Sequence, residues 1–344
     1  MDGFELLTPL QASVVLGLAL GAVYGVLAQR SRFCLRRSLV GEWSECLPAL
    51  GVWAMGLAVA IAGTQGASVA GLISFDAHRF LAPDLPVVAV LVGGALFGAG
   101  MVLSGGCASR LAVLTGSGNL RSALVLVVFA VVAYAMMKGV LAPLRSALAG
   151  LTLDPGGRVA LTALPGGPVW AWGLVLAAAI VAFRSGAAPR HLAMGAVIGL
   201  LVPLGWVGTG FVLLDDFDPV PLQSLSFTGP VADTLFWTMA ATAVPAGFGT
   251  GLAAGVVAGS IAASACAGEF RWTSLEGARQ TGRYMAGAAL MGTGGVLAGG
   301  CTVGAGLSGV STGSIAAVLA LAAMAVSARI VGRLLDEGPA RAAS

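Results

Sequence analysis

Charge is scarce in this chain of 344 residues: Asp, Glu, Lys and Arg together make up 10 % of it, against roughly 25 % in an ordinary soluble domain. So little charge cannot cover the surface of a soluble protein of this length, which excludes a soluble enzyme. Histidine is scarcer still. His78 and His191 are the only two, too few for a metal centre built on imidazole. The net charge of +3 is small and scattered, so nucleic acid is not a partner to expect. Met1–Pro9 holds Asp2 and Glu5 but neither Lys nor Arg. A secretion signal needs a basic start, so the first apolar run reads as a retained span. There is no phosphate-binding P-loop, and the five cysteines show neither a CxxC pair nor zinc-ligand spacing. The sequence calls for no cofactor, no metal and no catalytic residue.

What is abundant is apolar side chain and glycine. The AVILMFWYC set supplies 58 % of residues and mean hydropathy is +0.94. Glycine occurs 52 times, about twice the norm of roughly 7 %, without a period of three. These values imply an all-α integral membrane protein, one transmembrane domain over 1–344, whose helix backbones approach closely.

A helix needs about 20 mainly apolar residues to cross the hydrocarbon core. Nine segments qualify, at about 10–28, 47–64, 86–104, 120–141, 168–183, 191–213, 231–248, 284–300 and 314–335. The stretch 250–266 is short and Gly/Ala-rich, and reads as either a tenth span or a half-helix. Arg30, Arg32, Arg36 and Arg37 follow the first span at once, and the positive-inside rule places them in the cytoplasm. Alternation then puts Arg184 and Arg190 inside and Asp215, Asp216 and Asp218 outside. Nine crossings also bring Arg271, Arg279, Arg283, Arg333 and Arg341 inside, whereas a tenth would export the last two. The expectation is a multi-pass protein of a bacterial inner membrane, with its N-terminus periplasmic and its C-terminus cytoplasmic.

The most informative pattern is a repeat. GGALFGAGMVLSGGC (Gly93–Cys107) aligns without gaps to GAALMGTGGVLAGGC (Gly287–Cys301), with ten of fifteen positions identical. A polar run of small residues follows each cysteine. A weaker echo links LALGAVYG (Leu18–Gly25) to LAMGAVIG (Leu192–Gly199). Each half then holds four spans, about 10–141 and 191–335, joined by a linking span at 168–183. An odd number of crossings separates equivalent elements, so the halves are inverted, as in many secondary transporters whose sites lie at the midplane on broken helices. Two re-entrant hairpins would approach each other from opposite faces. Irregular backbone survives at membrane depth only when buried in protein or lining a wet cavity, and that makes Gly105, Gly106, Gly299 and Gly300 candidates for lining a permeation path. Helix packing alone remains the plainer account of the glycine spacing upstream.

Cys107 and Cys301 occupy equivalent hairpin tips, and Thr302 follows the second. Cys34 lies in RSRFCLRR among Arg32, Arg36 and Arg37, whose charge favours thiolate and attracts anions. Topology alone also accounts for those arginines. Arg110, three residues after Cys107, is harder to explain that way, because charge at membrane depth is costly and usually functional. Cys46 and Cys266 read as buried small hydrophobes. Glu42, Glu45, Glu269 and Glu276 all fall near interfaces, so no buried carboxylate relay is apparent. His78 and Asp76 read as solvated loop residues, and His191 as an interface residue.

These motifs resemble those of the YeeE/YedE membrane proteins, a family of sulfur transporters that take up thiosulfate. RSRFC (Arg30–Cys34), GxGxxxSGGC (Gly98–Cys107) and GxGxxLAGGCTxGxGLSG (Gly292–Gly309) carry the resemblance, which extends over nearly the whole chain. It implies an hourglass-shaped transporter in which Cys34, Cys107 and Cys301 pass thiosulfate by successive weak thiol hydrogen bonds, without redox chemistry. It also implies that a small cytoplasmic sulfur-carrier protein is a potential partner. The chain ends in GPARAAS soon after the last span, so no such domain is expected fused to it. Transport of sulfite or a selenium oxyanion stays open, as does a membrane thiol-redox protein using Cys107 and Cys301.

Overall fold

The computed structural model describes residues 8–76, 78–153, 159–215, 217–274 and 277–341. Asp2, Glu5, Asp216 and Glu276 fall outside these, as does the side chain of Arg341. Among the described residues the chain is helical, with three isolated β-bridges and no strand.

Among the described residues nine helices have sixteen or more residues: α1 (Pro9–Ser31), α3 (Trp43–Val69), α4 (Val87–Leu103), α6 (Leu120–Lys138), α8 (Val169–Arg184), α9 (Pro189–Val207), α11 (Phe248–Cys266), α12 (Ala278–Leu297) and α13 (Ile315–Arg341). Shorter ones are α2 (Leu35–Leu39), α5 (Ala108–Gly116), α7 (Ala142–Ala149) and α10 (Thr228–Ala240). Seven segments are long and apolar enough to cross a membrane, all built on these longer helices; α8 is apolar but shorter. Large apolar side chains such as Val15, Leu18, Leu176 and Phe183 point outward, each more than 45 % exposed. A water-soluble surface does not carry such a belt, and lipid does not penalise it.

The helices start where local chemistry satisfies their first amides. Thr8 and Gln11 form a reciprocal capping box on α1 with Pro9 in its first turn. Asn119 accepts from Ser122 N–H at 3.0 Å to open α6. Such caps recover orphan donors that lipid cannot satisfy.

One expected segment is corrected and another is resolved. The span placed at 231–248 is not one helix: α10 stops at Ala240, ahead of Pro245, whose missing N–H and ring clash forbid helical continuation. The stretch 250–266, read as either a tenth span or a half-helix, is a full span: it forms most of α11, long and apolar enough to cross a membrane. Its glycines lower its apolarity without shortening it, because they serve packing. Gly251, Gly255 and Gly259 lie against α1, where an added Cβ would stand 2.1–2.3 Å from the carbonyl oxygens of Val14, Leu18 and Ala22. Gly17, Gly21 and Gly25 of α1 meet Phe248, Leu252 and Val256 in the same way. Contacts advance together along both chains, so α1 and α11 run parallel.

The echoed motif repeats this arrangement. Gly195 and Gly199 of α9 press on the carbonyls of Val52 and Gly56 in α3, again in parallel. GAVYG thus docks on α11 as GAVIG docks on α3. The helices carrying the stronger repeat, α4 and α12, instead pack antiparallel and reciprocally: Gly93 meets Gly294 while Gly100 meets Gly287. Equivalent positions exchange partners, which is what a local two-fold relation produces.

Candidate functional site

Both repeated helices end in a tight glycine turn. Gly105 and Gly299 take φ of +83° and +75°, a conformation other residues adopt only with strain. Ser104 braces the first turn, its hydroxyl donating to the carbonyls of Gly100 (2.7 Å) and Gly106 (3.1 Å). The second turn has no room for a side chain, since a Cβ on Gly300 would sit 2.6 Å from the Ala305 nitrogen.

After the turns, both chains re-enter buried protein. Cys107 begins α5 without a side-chain cap. Cys301 is followed by a single widened helical stretch, Gly304–Gly309, in which Leu307 and Ser308 both donate to Val303 carbonyl at 2.9 Å. Wide turns of this kind recur at functional sites. The Gly304 amide points at Cys301 Sγ, 3.4 Å away, and Ser308 donates to Leu225 carbonyl at 2.6 Å. Each re-entrant segment is then pinned by backbone bonds to a distant loop. Leu120 N–H and Thr273 N–H bond Thr273 and Gly118 carbonyls, both at 3.1 Å, and Leu161 N–H bonds Gly313 carbonyl at 2.7 Å.

Cys34 reaches the same region from α1. Here Arg32 is the one non-glycine residue with positive φ (53°) among the described residues, and this left-handed step turns Cys34 inward at the start of α2. Such strain persists only where surrounding structure enforces it, commonly at functional sites.

The structure brings most of the sequence-derived site residues together. Cys34, Cys107 and Cys301 are buried, at 8 %, 1 % and 0 % exposure, as free thiols in one apolar cluster. The Cys34 and Cys107 thiols are close neighbours, and Thr302 lies beside Cys107. Cys107 Sγ is also 3.3 Å from Ser109 Oγ. Arg110 lies near the pair and donates to the Ala28 carbonyl at 3.3 Å. Its charged neighbour is Arg32 rather than a carboxylate. Gly105, Gly106, Gly299 and Gly300 serve as the turns themselves. Cys266 corrects its expectation, since it is exposed at the end of α11, while Cys46 is buried as expected.

Tyr24 was not evident from sequence. Its side chain is fully buried among Cys34, Cys107 and Cys301, with Ser109 the nearest polar side chain, and no hydrogen bond of its hydroxyl meets ordinary geometry among the described residues. The available signal was the echo itself, which places Tyr24 where the second copy has Ile198. An unpaired buried hydroxyl costs about 1–3 kcal/mol, so its retention calls for a use.

A cavity of about 930 Å³ lies at the end of the molecule where α1 begins. Its floor is the back of the second hairpin, at Gly299, Gly300 and Gly304. His78 lines it and is not the solvated loop residue expected. The ring stands edge-on to Trp206, centroids 5.1 Å apart, and Nδ1 accepts from Phe80 N–H. Burial first, and then the charge of Arg79, lower its pKa from 6.5 to about 4, so the imidazole is neutral at ordinary pH. Asp76 accepts from Ser74 and is exposed, as expected.

Comparison with known proteins agrees with this picture. The family model described as "Sulphur transport" matches residues 30–330. The thiosulfate transporter TsuA of Escherichia coli (strain K12) is 27 % identical over 323 residues, covering 86 % of both chains. Together with the helical, apolar architecture and the paired Gly-Gly-Cys turns, this match over most of the chain establishes that the protein belongs to the sulphur-transport (YeeE/YedE) family of membrane proteins.

Proposed function

We propose that this protein imports thiosulfate across a bacterial inner membrane through a constriction formed by Cys34, Cys107 and Cys301. The N-terminus is periplasmic and the C-terminus cytoplasmic, with nine crossings in two inverted halves about α8. The observation that carries this reading is the meeting of three thiols from three separate elements around one unpaired tyrosine hydroxyl. The name of the Escherichia coli relative supplies the substrate.

The chemistry suits the anion. Thiosulfate has a soft terminal sulfur and three hard oxygens. Thiols are weak donors, so they hold the sulfur end without trapping it, and passage requires binding weak enough to leave. Arg110, with no carboxylate beside it among the described residues, offsets the negative charge from the side of α1's C-terminus. Gly105, Gly106, Gly299, Gly300 and Thr302 shape the two loops that frame the path. No covalent step is involved, and the protein acts as a transporter rather than an enzyme.

Moving a dianion inward against a negative-inside potential costs about 4.6 kcal/mol per 100 mV. Rapid consumption in the cytoplasm or a co-transported cation offsets that cost. A small sulfur-carrier protein at the cytoplasmic face is the partner suggested by resemblance to the family.

The experiment is uptake into proteoliposomes of labelled thiosulfate, sulfite and selenite in parallel. Thiosulfate accumulates in the vesicles, and Cys107→Ala abolishes this. Faster entry of sulfite or selenite reassigns the substrate. The adjacency of Cys34 and Cys107 favours one second reading, a thiol-redox protein using that pair. A reversible Cys34–Cys107 disulfide trapped in cells, without any uptake, would establish it instead.

A further inference from the structure

The cavity above the second hairpin has a chemistry of its own. Three cationic side chains line it, Arg79, Lys138 and Arg145, against one carboxylate, Asp233. None of the three cations has a salt bridge among the described residues; Arg79 stacks on Phe80 and Lys138 on Tyr134. Asp233 lies near Lys138, which leaves an excess of cations in the cleft, and such an excess focuses field and concentrates anions.

Three donor atoms in the wall are buried and unpartnered: Trp206 Nε1, Thr228 Oγ1 and Arg145 Nε. Trp206 and Thr228 are 2 % and 4 % exposed, and both line the cavity. Thr228 is also the first residue of α10, whose N-terminus has no side-chain cap. The amides of Thr228 and Gly229 and the helix dipole add further attraction for an anion, while Pro230 contributes no N–H. Three features thus converge: an excess of cations, the indole N–H of Trp206, and the open N-terminus of α10 with its Thr228 hydroxyl.

Just as informative is what the lining omits. No thiol is among the described residues of the wall; the cysteines lie beyond the Gly299–Gly300 turn. Guanidinium, ammonium, indole and hydroxyl groups bind oxygen and do not distinguish a terminal sulfur from a terminal oxygen.

We propose that this cavity is a receptor for tetrahedral oxyanion dianions, blind to the terminal atom. Sulfate therefore occupies it much as thiosulfate does, and obstructs import without being carried. Selection is split in two: the cavity selects charge and shape, and the thiols beneath select sulfur. The inference builds on the thiosulfate reading but is tested by binding rather than by transport.

The probe is radiolabelled inorganic sulfate, titrated by equilibrium dialysis against the full chain purified in detergent. Saturable binding near one sulfate per chain is expected, weakening as salt is raised. Thr228→Val and Trp206→Phe, which keep shape, weaken it about three- to tenfold, and Arg79→Gln with Lys138→Gln weakens it more than tenfold. Cys34→Ala leaves sulfate binding in place. In proteoliposomes, sulfate raises the thiosulfate concentration needed for half-maximal uptake while labelled sulfate stays outside. Absence of saturable sulfate binding, or binding indifferent to all four cavity substitutions, overturns the proposal. So does import of sulfate at the rate of thiosulfate. If sulfate binds as described and thiosulfate is not imported, the receptor stands and the transport reading falls.

Discussion

Gly100 in α4 and Gly287 in α12 lie backbone against backbone: a Cβ on Gly100 would stand 2.6 Å from the Gly287 carbonyl oxygen, and one on Gly287 2.8 Å from that of Gly100. Each hairpin is therefore held in place by the helix that delivers the other. Neither backbone has a flexible side-chain end to yield, so Gly100→Val and Gly287→Val force the helices apart. Overpacking typically costs about 1–3 kcal/mol. Thermal unfolding in detergent should show a clear loss of stability for either, while Gly173→Ala, with nothing within 4 Å of the new methyl, is neutral or slightly stabilising.

The cysteine relay makes a graded prediction. Cys34→Ala, Cys107→Ala and Cys301→Ala each abolish thiosulfate-dependent growth in cells lacking other importers, with membrane insertion unchanged. Cys46→Ala and Cys266→Ala do not. Full growth of the first three would remove the thiols from the mechanism.

Tyr24→Phe separates stability from function. Removing an unpaired buried hydroxyl relieves a desolvation cost, so the variant unfolds at the same temperature or higher, by about 1 kcal/mol or more. Uptake nevertheless falls at least tenfold if the hydroxyl contacts the passing anion. Unchanged uptake would leave Tyr24 a packing residue.

Arg110 tests charge against geometry. Arg110→Gln loses uptake with correct topology, as read by cysteine accessibility at each face. Arg110→Lys restores the charge but not the fork that reaches the Ala28 carbonyl, and recovers uptake only in part.

The His78 imidazole yields a pH dependence. Its folded pKa is held down to about 4, whereas in the unfolded chain it titrates near 6.5. Between these values the unfolded chain binds more protons, so stability is fully present above about pH 6.5 and declines as pH falls toward 4. Thermal melts across this window should show that slope, flattened in His78→Gln.

Much of this protein was legible in its sequence because lipid is a severe solvent. Backbone polar groups must be satisfied within each segment, so low charge and long apolar runs already imply helices. The Gly93–Cys107 and Gly287–Cys301 identity marked the paired turns, since positive φ and close backbone contact both demand glycine. The stretch 250–266 stayed open between a span and a half-helix because glycine weakens an apolarity count while strengthening a helix interface, and only the partner helix α1 reveals which effect applies.

What the linear order determined, then, is most of the helices, the two turns and the three thiols, because each depends on local conformation or on a repeat visible along the chain. Only the tertiary structure decided that Tyr24 stands unpaired among those thiols, and that His78, Arg79, Lys138, Trp206 and Thr228 share one cavity wall. These residues are separated by as many as 150 positions and carry no common pattern. Their convergence arises from helix packing, and packing depends on shape contacts between distant segments that no local propensity records.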